Sequence, residues 1–136
     1  MIDLPSENIE YLLDTYAWIE YFIGSNKGEI VKKLIDSNIM YTSIISIAEL
    51  SDKYYRENLI DEWNDRYKFI LSKSYVAHLT IEIVKNSGPR KWKLSEMNED
   101  IGLADAIIIE TAIQKGLVIV SGDSHFKELE NVLFLE

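Results

Sequence analysis

Residues 117–123 read Leu-Val-Ile-Val-Ser-Gly-Asp. An unbroken apolar run of this length suits a strand covered on both faces, because a strand with one wet face alternates apolar with polar side chains. Gly116, just before the run, stands where a left-handed cap ends a helix, and the positions Leu103 to Lys115 upstream of it are helical in pattern. Helix, strand, and then an acid at the strand's carboxyl end is the unit from which the rest of the chain is read. Going back towards the start, strands are expected over Ile9–Leu13, Ile39–Thr42 and Tyr75–Leu79. Between them lie helices from Thr15 to Ile23 ahead of Gly24, from Lys27 to Asp36, from Ile44 to Glu57 and from Ile60 to Leu71. A further helix from Thr80 to about Asn86 is expected to stop at the Gly88-Pro89 breaker. Beyond the run, a short helix from Asp123 and a strand over Val132–Leu135 close the chain. Strands alternating with helices predict an α/β fold, a three-layer sandwich around a parallel sheet, in one domain spanning residues 1–136.

The size agrees, since 136 residues suit one core and not two. With 47% hydrophobic residues, 27% charged, and only 6 Gly and 2 Pro, the chain is neither disordered nor fibrous. Its 23 acidic against 14 basic residues give a net charge of -9, so the surface as a whole repels polyanions and any contact with nucleic acid must be local. There is no Cys, which excludes a disulfide scaffold, thiol catalysis and Cys-ligated zinc, and two isolated His do not make a His-rich zinc site. Carboxylate is what remains for metal chemistry. The leading residues Met-Ile-Asp-Leu-Pro-Ser-Glu-Asn lack the basic region and apolar run of a signal peptide, and no stretch is long enough to span a membrane. A cytoplasmic location is expected.

Four acids sit in apolar company instead of polar runs. Asp14 follows Tyr-Leu-Leu, Glu49 lies within Ile-Ile-Ser-Ile-Ala-Glu-Leu, Asp105 is enclosed by Leu-Ala and Ala-Ile-Ile-Ile, and Asp123 comes three residues after Ile-Val. A carboxylate stripped of water costs several kcal/mol unless something compensates it. Each acid also has an ordinary reading. Asp14 and Asp123 can be helix N-caps, and Ser46 with Glu49 fits the spacing of a capping box. Asp105 gains only a modest dipole effect near a helix start. Ligands in an open parallel sheet bind beyond the carboxyl ends of the strands, where Asp14 and Asp123 fall, and nearby helix starts could bring Glu49 and Asp105 to the same crevice. Two carboxylates about 4 Å apart repel by about 4 kcal/mol at an effective dielectric near 20. A divalent cation, or protonation of at least one acid, must relieve such a cluster. An all-oxygen site suits Mg²⁺ or Mn²⁺, ions that serve phosphate chemistry.

The segments Leu12-Leu13-Asp14-Thr15, Ser46-Ile47-Ala48-Glu49-Leu50, Ala104-Asp105-Ala106-Ile107-Ile108 and Val120-Ser121-Gly122-Asp123-Ser124-His125-Phe126 resemble the four motifs of the PIN-domain ribonucleases. Their order and separations are similar to those of the compact VapC-type toxins of toxin–antitoxin pairs, over nearly the whole chain from Ile9 to Leu135. The resemblance implies a five-stranded parallel sheet flanked by helices and a Mg²⁺- or Mn²⁺-dependent endoribonuclease. It maps the catalytic and metal-holding acids onto Asp14, Glu49, Asp105 and Asp123. Supporting hydroxyls are implied at Ser121 and, beside the first acid, Thr15. Where many relatives carry another acid two residues beyond the fourth, this chain has His125.

The activity expected is hydrolysis of an RNA phosphodiester by metal-activated water, and the resemblance implies products with a 5′-phosphate and a 3′-hydroxyl. A haloacid-dehalogenase-type phosphatase would want Asp-x-Asp at the first strand, where this chain reads Asp14-Thr15-Tyr16. A phospho-receiver would want Lys ending a late strand, where Ser121 stands. The alternative in another class is a catalytically silent PIN-like binding module, whose sign would be a missing acid. The aromatic residues Tyr54, Tyr55, Trp63, Tyr67 and Phe69 exceed what a small core needs, and by resemblance that region serves a homodimer and an antitoxin protein. From Lys85 to Ser95 there is no acid. Arg90, Lys91, Trp92 and Lys93 there are read as an RNA-binding loop, with cations for phosphates and an indole for an unpaired base.

Overall fold

The computed structural model describes residues 9–136. The leading Met1 to Asn8, on which the reading of a missing signal peptide rests, lie outside the described residues. The strands are β1 (Tyr11–Leu13), β2 (Met40–Ser43), β3 (Tyr75–Ala77), β4 (Val118–Ser121) and β5 (Val132–Phe134). All pair in parallel, in the order β3-β2-β1-β4-β5. The helices are α1 (Thr15–Ile23), α2 (Asn26–Ser37), α3 (Ile44–Arg56), α4 (Ile60–Lys73), α5 (Ile81–Leu94) and α6 (Leu103–Lys115), with a 3-10 turn at Ser124–Phe126.

β1 is the middle strand of the sheet and β4 its neighbour, paired Leu12 to Ile119 and Leu13 to Val120. Successive side chains of a strand point to opposite faces. Leu13 and Val120 therefore enter one core, with Trp18 and Leu50, while Leu12 and Ile119 enter the other, with Ile109 and Phe126. Two cores on two faces make the three layers, and they explain the apolar run with no polar alternation. The five strands and the helices α1 to α4 stand within a few residues of their expected positions. Gly116 adopts φ 67° and caps α6 as the pattern predicts.

Two local readings are corrected. Gly88-Pro89 does not end a helix, because α5 continues through Pro89 to Leu94 and turns the expected basic loop into helix. A proline inside a helix costs about 3 kcal/mol. Here the helix is held by packing on α6: Ile83, Ser87 and Leu94 are buried, the Ser87 hydroxyl donates to the Ile83 carbonyl, and Arg90 pairs with Glu110 of α6. The Ser46–Glu49 capping box is also absent. Ser43 caps α3 three residues earlier, its Oγ accepting from the Ile45 N–H. Ser46 lies inside the helix, and Glu49 is free for another role.

The five aromatic residues of the middle helices divide. Tyr54 and Trp63 belong to the core, and Phe69 stacks among Trp18, Tyr21 and Phe22. Tyr55 and Tyr67 are exposed, as are Ile60 and Leu71 nearby on α4. No helix among the described residues is long and apolar enough to cross a membrane.

Candidate active site

All strands are parallel, so all of their carboxyl ends lie on one edge of the sheet, and a cleft of about 400 Å³ opens there. Asp14, at the end of β1, lines it together with Glu49 from α3, Asp105 from the first turn of α6 and Asp123 from the turn after β4. The structure thus brings together all four acids picked from the sequence. The ordinary roles hold beside this one. Asp14 Oδ1 accepts from the Ala17 N–H at 2.9 Å and caps α1, while Asp123 Oδ1 accepts from the His125 N–H at 2.9 Å. A cap occupies one lobe of a carboxylate, so a capping acid at a strand end can still serve a ligand with the rest.

Asp14 is 3% exposed. Burial is the main reason its pKa rises to about 7, and the negative charges of Asp123 and Glu49 add to the rise. Hydrogen bonds from Ser121 and the Ala17 amide oppose the shift without cancelling it. Ser121 is fully buried and its Oγ also accepts from the Asp123 N–H at 3.0 Å, so one hydroxyl ties two of the acids together. Thr15 donates its hydroxyl to Glu49 Oε1 at 2.5 Å and fixes that carboxylate from the neighbouring element. Both hydroxyls singled out in the sequence are in contact with the acids. A Cβ at Gly122 would lie 2.3 Å from the ring of Tyr16, which lines the cleft, so any other residue there would displace that ring.

His125 is drawn in as well. Its Nδ1 is 2.8 Å from Asp105 Oδ2 and 3.7 Å from Asp123 Oδ1. Burial disfavours the charged ring, but the hydrogen bond to Asp105 and the charges of Asp123, Asp105 and Asp100 outweigh it and raise the pKa. Asp105, Asp123 and His125 are the tightest group, with ligand atoms all within 4.8 Å of one another; Asp14 and Glu49 complete the cleft from its other side. The donor set suits a divalent ion, being three carboxylates and one imidazole about buried Asp14, which has no cation of its own among the described residues.

Two cations not singled out in the sequence, Lys53 and Arg56, line the cleft. They lie four and seven residues after Glu49, and so on its face of α3, a spacing that could have revealed them. Their exposed partners are Glu57 and Asp52. Arg90, Lys91, Trp92 and Lys93 are not brought to the cleft. Arg90 and Lys93 border a groove with Gly116, Leu117, Val118, Glu130 and Asn131, at the amino edge of the sheet. Arg90 is held by Glu110 at 2.9 Å, whereas Trp92 is 69% exposed with the Lys91 ammonium 5.0 Å from its ring centre.

A parallel five-stranded sheet with carboxylates gathered at its carboxyl edge is the architecture of a family whose model, described as the PIN domain, matches residues 11–132. The chain belongs to the PIN domain family. Solved structures similar to it include VapBC2 from Rickettsia felis bound to a promoter DNA fragment, at 19% identity and TM-score 0.74, covering 93% of this chain and 97% of that one. DNA-bound VapBC from Salmonella typhimurium is similar at 19% identity and TM-score 0.74, over 93% and 96% of the two chains. VapC20 from Mycobacterium tuberculosis, a sarcin-ricin loop cleaving toxin, is similar at 18% identity and TM-score 0.68, over 85% and 92%. At such identities the likeness is one of fold. A search of curated proteins gave no match.

Proposed function

We propose that this protein is a Mg²⁺- or Mn²⁺-dependent endoribonuclease, acting in the cytoplasm as the toxin of a toxin–antitoxin pair. The observation that carries the reading is Asp14, a buried carboxyl with no cation of its own among the described residues, grouped with three more acids at the edge of the sheet where ligands bind. Asp14, Glu49, Asp105 and Asp123 would hold the metal. Such an ion, when bound, activates water and neutralises charge developing on the phosphate. The chain's own residues keep the acids in place: Ser121 orients Asp14, Thr15 orients Glu49, and His125 bears on Asp105. Lys53 and Arg56 on the cleft wall are suited to hold phosphates on either side of the cut, exchanging weak surface pairs for the backbone of the RNA. Of the basic segment on α5, Lys91, Trp92 and Lys93 would meet RNA that extends past the cleft, and Arg90 serves Glu110.

A similar solved structure from Klebsiella pneumoniae is a toxin–antitoxin complex, and an acidic cleft suits a partner that inserts Arg or Lys among the four acids. The exposed Tyr55, Ile60, Tyr67 and Leu71 would serve a homodimer or that partner. Purified protein incubated with total RNA and Mg²⁺ or Mn²⁺ is expected to give discrete 5′-phosphorylated ends and to give none in EDTA. Calorimetry separates the alternative, a catalytically silent binding module, which would cut no RNA and has no reason to bind the ion. Co-expression with the neighbouring small open reading frame should yield an inactive complex; separate purification with full nuclease activity would remove the toxin reading.

A further inference from the structure

A second cavity lies beside the acid cleft, and the function proposed above makes no use of it. It measures about 120 Å³, the space of about four liquid waters, and suits one flat heterocycle better than a peptide segment or helix. Its walls are apolar: Leu94 and Ile101 are buried in the second core, Leu129 packs against that core, and Met97 projects over it at 65% exposed. Its rim is polar, with Asn98, Ser124, His125 and Glu128.

His125 joins this cavity to the acids, since it lines the cavity while its Nδ1 meets Asp105. A phosphate in the acid cleft, its charge balanced by the cation that the carboxylates would hold, would therefore leave a neighbouring base of the same strand on the side of the cavity. A phosphate itself would be repelled by Glu128 and the nearby aspartates, whereas a neutral ring would not. Unpaired bases are recognised in this manner, with faces on apolar walls and Watson–Crick edges on polar groups. Asn98 Oδ1 already accepts from the Asp100 N–H at 3.0 Å, leaving its Nδ2 to donate. The Glu128 carboxylate can only accept when ionised.

We propose that this cavity is a nucleobase pocket that selects guanine next to the cleavage site. Guanine offers two adjacent N–H donors, N1 and N2, to the Glu128 carboxylate, and its O6 accepts from Asn98. Adenine and uracil match only part of this rim, and cytosine lacks the paired donors. The proposal rests on the ribonuclease reading for its place in the reaction, but not for the binding itself.

The test has a binding arm and a cleavage arm. In the binding arm, the metal-free chain with labelled Met and Leu methyl groups is titrated with guanosine, cytidine, adenosine and uridine. Guanosine should shift the Met97 and Leu129 methyl signals at the lowest concentration, and Glu128→Gln, on an exposed side chain, should abolish that preference. In the cleavage arm, unpaired oligoribonucleotides with each base in turn beside the cut should show at least a tenfold preference for guanine, flattened in Glu128→Gln while Mn²⁺ affinity stays the same. Met97→Ala should weaken guanosine binding without reversing the order of bases. Equal binding of all four nucleosides, or no shift with any of them, overturns the proposal, as does RNA cleavage with no base preference. Guanosine binding at Met97 and Leu129 in a protein that cuts no RNA would keep the pocket and sink the nuclease reading.

Discussion

Asp14 and Glu110 are the two buried acids of the described residues, 3% and 4% exposed, and they are treated in opposite ways. Glu110 has a dedicated partner: Arg90 Nε donates to it at 2.9 Å and Gln114 Nε2 at 3.3 Å, from within the packed α5–α6 layer. Asp14 has hydroxyl and amide donors, no cation, and two more acids near enough to raise its pKa. Burial alone therefore does not mark a functional carboxylate. What marks Asp14 is that its charge is left to be balanced from outside, at the edge where five strands end.

Exchanging the two acids for their amides breaks the comparison most sharply. Asp14→Asn should lower RNA cleavage by more than about a hundredfold, since even outer partners of metal ligands cost 10- to 100-fold when lost. Glu110→Gln, measured by the same end-mapping assay, should leave cleavage near that of the parent. Equal losses in both would make Asp14 a structural acid like its counterpart.

The pH dependence of stability sharpens the contrast. Asp14 has a folded pKa of about 7 against 3.8 in the unfolded chain, so between those values the folded state binds more protons. Stability of the metal-free protein should then fall as pH rises from about 4 to about 7, by on the order of a few kcal/mol. Asn caps a helix as well as Asp does, so Asp14→Asn should lose this slope and be the more stable protein in EDTA at neutral pH. Urea unfolding at a series of pH values reads both. A variant that unfolds more easily than the parent in EDTA would refute the cost of holding the Asp14 charge buried beside the other acids.

Arg90→Ala leaves Glu110 buried without its cation. Breaking a fully buried pair costs about 3–5 kcal/mol, and Arg90 is 27% exposed, so about 2 kcal/mol is expected. That should appear as a lower melting temperature with unchanged Mn²⁺ affinity. The smallest effect is on RNA binding. Lys53→Ala with Arg56→Ala should reduce the log–log salt slope by about 1.4, at about 0.7 per phosphate contact on a single strand. Lys91→Ala with Lys93→Ala should reduce it by no more than about 0.7, because that segment lies away from the cleft. The reverse order would put the RNA track on α5.

The basic segment on α5 shows where local reading stops. Gly88-Pro89 is a strong breaker, and nothing within Lys85 to Ser95 announces that α6 will hold the helix straight through it. Arg90 looks like a phosphate contact until Glu110, twenty residues on, is seen beside it. Ser46 and Glu49 likewise have a capping-box spacing that lost to a helix start at Ser43.

By itself the sequence determined the order of the elements, the doubly covered strand at residues 118–121 and the four acids. These rest on periodicity and on the cost of placing a charge among apolar neighbours, both of which act over a few residues. Which acids share a site was decided by tertiary structure, since parallel pairing puts the ends of β1 and β4 on one edge and turns α3 and α6 towards it. So were the meeting of His125 with Asp105, the cavity under Met97 and the capture of Arg90 by Glu110. Each is a contact between side chains 20 or more residues apart in sequence, or a space between such segments, and only the packing of one element on another sets distances across such separations.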